Sequence, residues 1–569
     1  MRVPRQRWRR MNIRMDINKR DLLSIAVLCI IFFSVAIWNL GLTQAPITNW
    51  QANENKTFYI ELGKPESVDT VYFLVKNGSA NVQVYTGSPG NWSNSRSLAI
   101  PTSYYSWNEV NINSGTQYVR FEFEQASIEV AEMAVLSQDN QRIAITALNS
   151  EDTSDPNLSK LIDEQSLVQC PPTYLSETFF DEIYFVRTAE NYLQLHHPYE
   201  WTHPPLGKLI IASGISVFGY NPFGWRVMGV IFATLMIPMI YILGKKLFGT
   251  WIGAFASAFL LTFDFMHFTM ARMATVDTYV VFFSLASQLF FLIYLKDVLK
   301  NGWKAPVQPL FLAVLFFALG FSTKWFVLYG FAGQLAILAV LRLKEVAKLK
   351  KGLSDKINAF LDHPYSMIVG FLLVAVLVYF LIYIPDMLAG RSLIEVLGLQ
   401  GGMYNYHATL TATHSFSSSW WSWPLMLKPV WLYVSYLPLS MKSTIVLLGN
   451  PAVWWAGFAF LILAVERAVR KKDLACIFIA TFFFFQWIPY ALISRVTFIY
   501  HFYVSVPLLC LASAYFLSKY WSTKWGKVAA ITYFASVVVM FGLFYSVISG
   551  TPAPTSWIDS LKWLNGWSF

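Results

Sequence analysis

Two short stretches carry side chains that can do acid–base chemistry together. An adjacent acid pair, Asp181-Glu182, is followed in the same polar region by the segment His-Pro-Pro-Leu-Gly-Lys at 203–208. A carboxylate can take a proton from a hydroxyl, and a histidine or a lysine can stabilise an anionic leaving group. The alternative interpretation is a solvated loop beside a membrane, because acid pairs are common on protein surfaces. The residue types alone leave an active site and a polar loop equally open.

The elements that must position these residues are hydrophobic. The sequence is 55% hydrophobic and only 13% charged, which excludes an ordinary soluble enzyme. Repeated apolar runs close to the length that crosses a bilayer, about 20 residues, predict a polytopic α-helical membrane protein with about eleven transmembrane helices. We place these helices at Leu22–Leu42, Phe223–Leu243, Trp251–Phe263, Thr275–Leu295, Leu310–Phe321, Trp325–Leu341, Tyr365–Ile384, Ala452–Val465, Leu474–Ile493, Phe498–Leu517 and Val528–Ile548.

Basic residues lie in alternate loops between the predicted spans. They occupy Arg2–Arg20, Lys245-Lys246, Lys296–Lys304, Arg342–Lys356, Arg467–Lys472 and Lys519–Lys527. The positive-inside rule places these loops in the cytoplasm, so the formal net charge of +10 indicates topology and not nucleic-acid binding. The N-terminus is then cytoplasmic and the C-terminal tail extracytoplasmic. We interpret the first apolar run as a retained anchor, because it is long and lacks a small-residue cleavage site.

A different kind of sequence follows the first span. Trp50–Gln141 alternates polar and apolar residues, as in Thr57–Leu62, and contains turn residues such as Lys76–Ser79. This pattern predicts an antiparallel β-sandwich inserted on the extracytoplasmic side. The strand order is similar to that of the discoidin-type jelly rolls of the galactose-binding-like superfamily, which implies glycan binding at the loops around Asn91-Trp92. The alternative is a domain that only supports the extracytoplasmic face.

Charged residues near the outer ends of the apolar runs form a second group of candidates. Charges at membrane depth are costly, so each is a functional hypothesis by default. Arg226 begins a span, and Arg272 and Asp277 flank the junction between two others, where we expect them to face a common cleft. For the tryptophans of the later outer loop, an interfacial aromatic belt is the alternative to a sugar-binding surface. The remaining candidates are His203, Lys208, His407, His414, Trp421 and Arg495.

The spans and polar regions divide the chain into successive segments. We predict a cytoplasmic basic N-terminus at 1–21, the first helix at 22–42, the β-sandwich at 50–145, a linker at 146–178, a catalytic outer loop at 179–222, transmembrane helices at 223–384, an outer loop with the His/Trp motif at 385–450, a four-span C-terminal region at 451–549 and an extracytoplasmic tail at 550–569. Among the four cysteines only Cys170 lies outside the spans, which excludes a disulfide framework.

These motifs, in this order, resemble the protein O-mannosyltransferase family, whose members are GT-C-type glycosyltransferases that use polyprenyl-phosphate sugars. The resemblance covers Ser176–Tyr545. It rests on the acid pair, the 203–208 segment, Pro222–Arg226, Phe263-Asp264 with Arg272 and Asp277, His414 with Ser418 and Trp421–Pro424, and Arg495–His501. Two features depart from the eukaryotic pattern, because 385–450 is too short for a β-trefoil MIR insert and the β domain before the acid pair is an addition.

The resemblance implies a donor, an acceptor and roles for the candidates. The donor would be polyprenyl-phosphate-mannose, the acceptor a Ser or Thr hydroxyl of an exported polypeptide, and the anomeric carbon would be inverted. Asp181 would be the general base, and Glu182 would orient the acceptor or tune Asp181. The donor phosphate would be bound by Lys208, Arg226, Arg272 and Arg495. Contacts to sugar or acceptor would come from His203, Asp277, His407, His414 and Trp421, with Asp277 also holding Arg272.

We expect no metal and no cofactor, since the lipid-linked sugar is a substrate and no compact Asp-x-Asp pair is present. Other functions stay open. The same donor chemistry can serve a lipid or glycan acceptor, as in the similar aminoarabinose transferases. A sugar-binding transporter is a different class, but repeated halves with broken helices are not visible. An inactive receptor is disfavoured by the intact Asp181, Arg226 and Arg272. The expected location is the cell membrane of a bacterium or archaeon, in contact with membrane lipids.

Overall fold

The computed structural model describes residues 17–151, 155–349, 352–361 and 365–569. Outside the described residues lie 1–16 of the predicted cytoplasmic N-terminus, 152–154 of the predicted linker, 350–351 of the basic loop Arg342–Lys356, and 362–364. The helices are α1 Lys19–Ile37, α2 Glu182–Leu193, α3 Leu206–Phe218, α4 Pro222–Phe248, α5 Trp251–Thr262, α6 Phe265–Ala271, α7 Asp277–Asn301, α8 Gln308–Phe321, α9 Val327–Ala347, α10 Leu353–Leu361, α11 Tyr365–Leu381, α12 Ile384–Leu388, α13 Leu393–Thr409, α14 Pro451–Lys471, α15 Leu474–Trp487, α16 Val506–Tyr520, α17 Lys524–Ser549 and α18 Thr555–Ser560. The strands are β1 Trp50–Ala52, β2 Lys56–Ser88, β3 Asn91–Ser137, β4 Arg142–Ile143, β5 Ala147–Ser150, β6 Val430–Leu437, β7 Met441–Leu447 and β8 Ala553–Pro554.

Each predicted span coincides with an apolar helix. Within the described residues, nine helices are long and apolar enough to cross a membrane, and ten if α5 and α6, bent by 57° at their junction, form one span. The predicted span Leu310–Phe321 corresponds to α8, which at 14 residues is only about 21 Å long and shorter than a bilayer core. The chain is therefore a multi-pass membrane protein.

The helix α4 illustrates how the sequence sets the ends of a span. The Asn221 side chain accepts the N–H of Gly224 and caps the helix, and Pro222 occupies the first turn, where its missing N–H costs nothing. At the other end Gly249 adopts the left-handed conformation at φ +70°. The basic pair Lys245-Lys246 lies in the last turn, so the acid-pair region and the basic loop lie at opposite ends of this helix.

The predicted loop at 179–222 is not a loop. It contains α2, which begins directly after Asp181, and the 13-residue apolar helix α3. The predicted outer loop at 385–450 likewise contains α12, α13 and the strands β6 and β7, and the tail at 550–569 adds β8 to the same three-stranded sheet. A search for long apolar runs does not detect these elements, because they have polar residues on either side.

The residues between the first two spans form an antiparallel β domain. Its long strands β2 and β3 pair with each other along two registers, so that Val71 lies opposite both Val110 and Val135. Gly90, at φ +82°, forms the turn between them. The alternating apolar residues meet in one core, which includes Trp50, Phe58, Phe73, Phe121 and Phe123. Antiparallel pairing is confirmed, but the turn predicted at Lys76–Ser79 is wrong, because these residues lie within β2. The jelly-roll architecture stays a prediction.

The β domain rests on the helices through the chain that leads into α2. The backbone of Leu42, just after α1, donates to the carbonyl of Leu175 at 2.8 Å and accepts from the N–H of Phe223 in α4 at 3.1 Å. On the other side the Tyr433 ring of β6 packs edge-on against Phe179, with ring centroids 5.8 Å apart. Residues 174–181 are thus held between the β domain, α1, α4 and the sheet of β6–β8.

Candidate active site

A strained turn presents the first carboxylate of the acid pair. Phe180 has φ +52°, a left-handed conformation that residues with side chains rarely adopt and that persists where the surroundings fix it. The N–H of Tyr184 donates to the carbonyl of Asp181 at 3.1 Å, so Asp181 lies at the first turn of α2. Its own carboxylate does not cap the helix, and among the described residues it forms no hydrogen bond or ion pair. Asp181 is therefore available to a ligand.

The surroundings of Asp181 favour a proton acceptor that works near neutral pH. The pKa of Asp181 is raised to about 7, chiefly by burial; the cation Lys324 opposes this rise, and the carboxylates of Asp277 and Glu200 add to it. A carboxyl group with that pKa binds a proton strongly enough to act as a base and still releases it near pH 7.

Glu182 has a different environment from its neighbour. It is fully buried and holds Arg226 in a two-pronged ion pair, with distances of 2.8 Å to Nε and 2.7 Å to Nη2. The backbone N–H groups of Ala274 and Phe179 also donate to it, at 2.9 and 3.2 Å. Glu182 has no access to an acceptor substrate here. Its contacts fix the start of α2 against α4 and the α6–α7 turn.

Two of the arginines predicted to bind phosphate are occupied by protein groups. The remaining N–H groups of Arg226 donate to the carbonyls of Leu40, Tyr174 and Glu177 at 2.7–3.0 Å, so all five donors are used. Arg272 donates to the carbonyls of Ala36, Trp38, Asn39 and Ser549. These lie at the carboxyl ends of α1 and α17, where the helix dipole favours a cation. In the structure, contacts to protein groups thus take the place of the phosphate contacts expected for Arg226 and Arg272.

The predicted partnership of Asp277 with Arg272 is also wrong. Asp277, at the first turn of α7, pairs with Lys324 in the turn between α8 and α9, at 2.9 Å. Lys324 lies 5.7 Å from the Tyr500 ring centroid and lines a cavity. The sequence marks Lys324 as one of the charged residues near the outer ends of the apolar runs but assigns it no role in the site, because its local signal is a charge next to an apolar run.

The 203–208 segment is organised by a glutamate that sequence reasoning missed. Lys208 is 1% exposed, and its ammonium group donates to the Glu200 carboxylate at 2.7 Å and to the carbonyls of Glu200 and His203. All three N–H donors are used, so Lys208 has none left for a phosphate. Burial alone would raise the pKa of Glu200, but Lys208 and His203 beside it lower that pKa well below its usual range.

Glu200 also orients His203. The carboxylate lies 3.0 Å from Nδ1 of His203, a residue that lines the cavity, and Nε2 forms no hydrogen bond with any described residue. Burial lowers the pKa of His203, although Glu200 raises it in part. Gly207 permits the close approach of α3 on which this arrangement depends: a Cβ there would lie 2.6 Å from Val276 and 3.0 Å from Thr323. Leu206 donates to the carbonyl of Ser322, which ties α3 to the turn that carries Lys324.

Two cavities meet at Arg495. The first has a volume of about 550 Å³, and its lining includes His203, Lys324, Trp325, Leu328, His407, Arg495 and His501. The second, of about 500 Å³, is lined by Thr413, Ser417–Trp421 and Ser494–Thr497, among others. Arg495 borders both, is half-buried, and forms no ion pair or hydrogen bond with any residue in the described ranges. Asp181 is not part of either lining but interacts electrostatically with Lys324 and Tyr500 beside the first.

The remaining predicted residues lie around these cavities at different distances. Nε2 of His407 donates a hydrogen bond to the carbonyl of Thr202 at 2.9 Å, and its ring centroid lies 5.2 Å from that of His203. Burial, together with His203 and Arg495, lowers the pKa of His407 to about 4, so it is neutral at pH 7. Trp421 lines the second cavity and is 55% exposed. His414 is exposed, accepts the N–H of Phe416, and lines neither cavity.

The described residues contain no group of three or more His, Cys, Asp and Glu side chains arranged to hold a metal ion. Among the described residues, the geometry brings together the half-buried carboxylate of Asp181 and the guanidinium of Arg495, neither with a hydrogen-bond or ion-pair partner, with Lys324 and the neutral His407. Lys324, Arg495 and His407 line the first cavity together with apolar side chains, and Asp181 lies outside that lining but interacts electrostatically with Lys324. Such a set can accept a proton and stabilise a departing anion.

Comparison with known proteins finds similar families, sequences and structures. Two family models match: "Dolichyl-phosphate-mannose-protein mannosyltransferase" over residues 202–355 and "C-terminal four TMM region of protein-O-mannosyltransferase" over residues 392–567. The polyprenol-phosphate-mannose–protein mannosyltransferase of Corynebacterium glutamicum is 24% identical over 441 residues, covering 64% of this chain and 81% of the relative. That of Mycobacterium tuberculosis is 25% identical over 427 residues, covering 64% and 80%.

Among solved structures, the donor-bound protein O-mannosyltransferase Pmt1–Pmt2 complex of Saccharomyces cerevisiae aligns with a TM-score of 0.58 at 13% identity, covering 69% of this chain and 89% of the matched one. The chain thus shares the polytopic membrane fold of that structure. The two matched segments, together with the curated relatives, assign it further: the chain belongs to the protein O-mannosyltransferase family. Asp181 and Glu182 lie ahead of the first matched segment.

Proposed function

We propose that this enzyme transfers mannose from polyprenyl-phosphate-mannose to Ser or Thr hydroxyls of exported polypeptides, with Asp181 as the general base. The names of the relatives from Corynebacterium and Mycobacterium support the donor and the protein acceptor. The single observation that carries the role of Asp181 is its environment: a half-buried carboxylate without a hydrogen-bond partner among the described residues, which interacts electrostatically with Lys324 on the lining of the cavity.

The proposed reaction is one displacement. The acceptor oxygen attacks the anomeric carbon as Asp181 takes the hydroxyl proton, and the bond between that carbon and the phosphate oxygen breaks. Its electron pair leaves with the polyprenyl phosphate, so the configuration of the sugar inverts. A serine hydroxyl is a weak nucleophile, which is why a base with a pKa near 7 is useful at this position.

The leaving phosphate gains charge as the bond breaks and needs cations in a site with little water. Arg495 borders the cavity and its N–H groups have no partner within the part of the chain that the structure describes, and Lys324 adds a second positive charge there. The Nε2 of His203 can contact sugar or phosphate from the same wall. Trp325, Phe326 and Leu328 supply an apolar surface that suits the first isoprene units. With two cations in place the proposal requires no metal ion.

We further propose that the active site and the β domain face outward from the cytoplasm. The basic pair Lys245-Lys246 ends α4, and Lys300 lies in the last turn of α7, whereas Arg226 and Asp277 lie near the starts of these helices. The positive-inside rule then assigns the basic ends to the cytoplasm. The N-terminus would be cytoplasmic and the tail at 550–569 extracytoplasmic.

A glycan is the partner we propose for the β domain, at a different place from the loop suggested by the sequence. Trp92 of that loop packs on Tyr59 and donates its indole N–H to Glu151. A cavity of about 560 Å³ lies instead between the β domain and β6, and its lining includes Tyr72, Trp107, Glu109, Asn111, Asn140 and Tyr436. Aromatic faces, amides and carboxylates suit the alternating C–H faces and hydroxyls of a sugar.

The experiment is transfer of radiolabelled mannose from polyprenyl-phosphate-mannose to a Ser/Thr-rich peptide by purified protein. Asp181→Asn should abolish transfer while donor binding is retained. The matched control is Asp559→Asn, which changes a carboxylate of an exposed pair with Lys562 in the tail. Transfer at the wild-type rate by Asp181→Asn would remove Asp181 from its role. A wild type that binds the donor but labels only lipid would contradict the protein acceptor.

A further inference from the structure

The β domain forms hydrogen bonds with the chain just before the catalytic carboxylate. The N–H and the hydroxyl of Thr178 donate to the carbonyls of Tyr105 and Tyr104, at 2.9 and 2.6 Å. The N–H of Trp107 donates to the carboxylate of Glu177 at 2.9 Å. These contacts hold a segment that lies three and four residues ahead of Asp181 to the edge of one β-strand.

A second set of contacts joins the β domain to α2, beyond Asp181. The ammonium group of Lys76, on β2, contacts the Glu190 carboxylate at 2.7 Å, and the hydroxyl of Tyr104 donates to the same carboxylate. Lys76 also lies 3.7 Å from the ring centroid of Tyr220, whose hydroxyl donates to Tyr104 at 2.7 Å. The side chains of Lys76 and Glu190 are only 14% and 17% exposed. A largely buried pair is favourable only in good geometry, so it fixes one position of α2 against the β domain.

The strained residue Phe180 lies between these two sets of contacts. Phe180 keeps φ +52° only if its neighbours on both sides are fixed, because a relaxed conformation is available to any free turn. Glu182 fixes the turn from the helix bundle through its bond to the N–H of Phe179. The β domain fixes it from the opposite side, through residues 177–178 and through Glu190 on α2.

We propose that the β domain is a positioning element for the catalytic base, with Lys76 and Tyr104 as the residues through which it holds Asp181 in place. The inference rests on the proposed function and adds a role for a domain beyond binding. It predicts that the domain acts on the rate of the chemical step and not only on folding. Within the described ranges, the charged or titratable groups that face Asp181 all lie outside the β domain; they are Lys324, Asp277, Glu200, Tyr184 and Tyr500.

Because the β domain places no charge against Asp181, its effect on the base has a specific signature. Loss of the contacts between the β domain and α2 lets water reach Asp181, and hydration favours the charged carboxylate. The pKa of the base should then fall from about 7 toward its usual value. The rise of kcat with pH would then move to lower pH while its plateau drops. A variant that merely folds less well lowers the plateau and leaves the pH of the rise unchanged.

The experiment compares kcat and KM for polyprenyl-phosphate-mannose across pH in the full chain carrying Lys76→Met, Tyr104→Phe or Lys76→Arg. The control is Arg120→Met, which breaks the pairs of Arg120 with Glu151 and Glu122 inside the β domain, away from the helices. We expect Lys76→Met and Tyr104→Phe to lower kcat at least ten-fold with KM changed less than two-fold. Lys76→Arg should retain most activity, and Arg120→Met should match the wild type.

Three results would overturn the inference. One is an unchanged pH dependence with a loss of activity equal to the loss of folded protein, another is an equal loss in Arg120→Met, and the third is a fully active Lys76→Met. Tyr104→Phe removes a single hydroxyl and keeps the ring, so it decides the question if Lys76→Met fails to fold. Asp181→Asn, run alongside, separates the two proposals: if it stays active, the proposed base is wrong, whereas an inactive Asp181→Asn with a fully active Lys76→Met refutes only the positioning role.

Discussion

Glu182→Gln should destabilise the fold, although Asp181→Asn beside it should not. Glu182 and Arg226 are both fully buried, and each Glu182 oxygen accepts two N–H groups, one from Arg226 and one from the backbone. A glutamine places an NH₂ group against two of these donors and leaves the guanidinium without a counter-charge. Breaking a buried pair from one side costs about 3–5 kcal/mol, so we expect a loss of that size in the free energy of unfolding.

The assay is thermal unfolding of the purified protein in detergent, followed by loss of tryptophan signal and of donor binding. The double variant Glu182→Leu, Arg226→Met is the matched control. It removes both charges and should recover part of the stability lost in Glu182→Gln; recovery is partial because the carbonyls of Leu40, Tyr174 and Glu177 lose their donors. If Glu182→Gln unfolds at the wild-type temperature but loses transfer, Glu182 acts in the chemistry and the assignment made from its contacts is wrong.

Three further outcomes follow from the site. The pKa of Asp181 is about 7 in the folded protein and near 3.9 in an unfolded chain, so the stabilising protonated form is lost as pH rises through 7. Asp181→Asn should therefore unfold at a higher temperature than the wild type at pH 8, and the difference should vanish by about pH 4. Arg495→Met should lower kcat by about 10²–10³, and Arg495→Lys should restore part of it, since the cation acts on the departing phosphate; an unchanged kcat would place the phosphate elsewhere. Transfer should persist after dialysis against EDTA, and a loss restored by a divalent cation would contradict the metal-free proposal.

The helices were predictable because their signal is local. An apolar run long enough to cross a bilayer usually folds as a transmembrane helix, and each of the predicted runs corresponds to an apolar helix. The helix α3 was missed because an apolar helix of 13 residues falls short of a span and the polar Glu200–His203 stretch precedes it. The pairing of β2 with β3 followed from alternation, but their two registers depend on contacts between distant residues.

The candidate site was predictable in location but not in roles. An arginine or lysine in an apolar chain indicates a buried partner, yet the sequence does not say whether that partner is a ligand or a carbonyl. Arg272 meets the ends of α1 and α17, and Lys208 meets Glu200, which is eight residues earlier in the chain. The best sequence signal for Glu200 as a site residue is its position three residues before His203. That spacing becomes a contact only in the folded protein.

The most direct test of the central claim is single-turnover transfer of mannose from bound polyprenyl-phosphate-mannose to a Ser/Thr peptide, measured between about pH 5 and 9. If Asp181 is the base, the rate of the wild type should rise ten-fold per pH unit below about pH 7 and level off above it, and Asp181→Asn should show no such rise at a rate at least a thousand-fold lower. A rate that does not change with pH in the wild type, or a rise that survives in Asp181→Asn, would contradict the account.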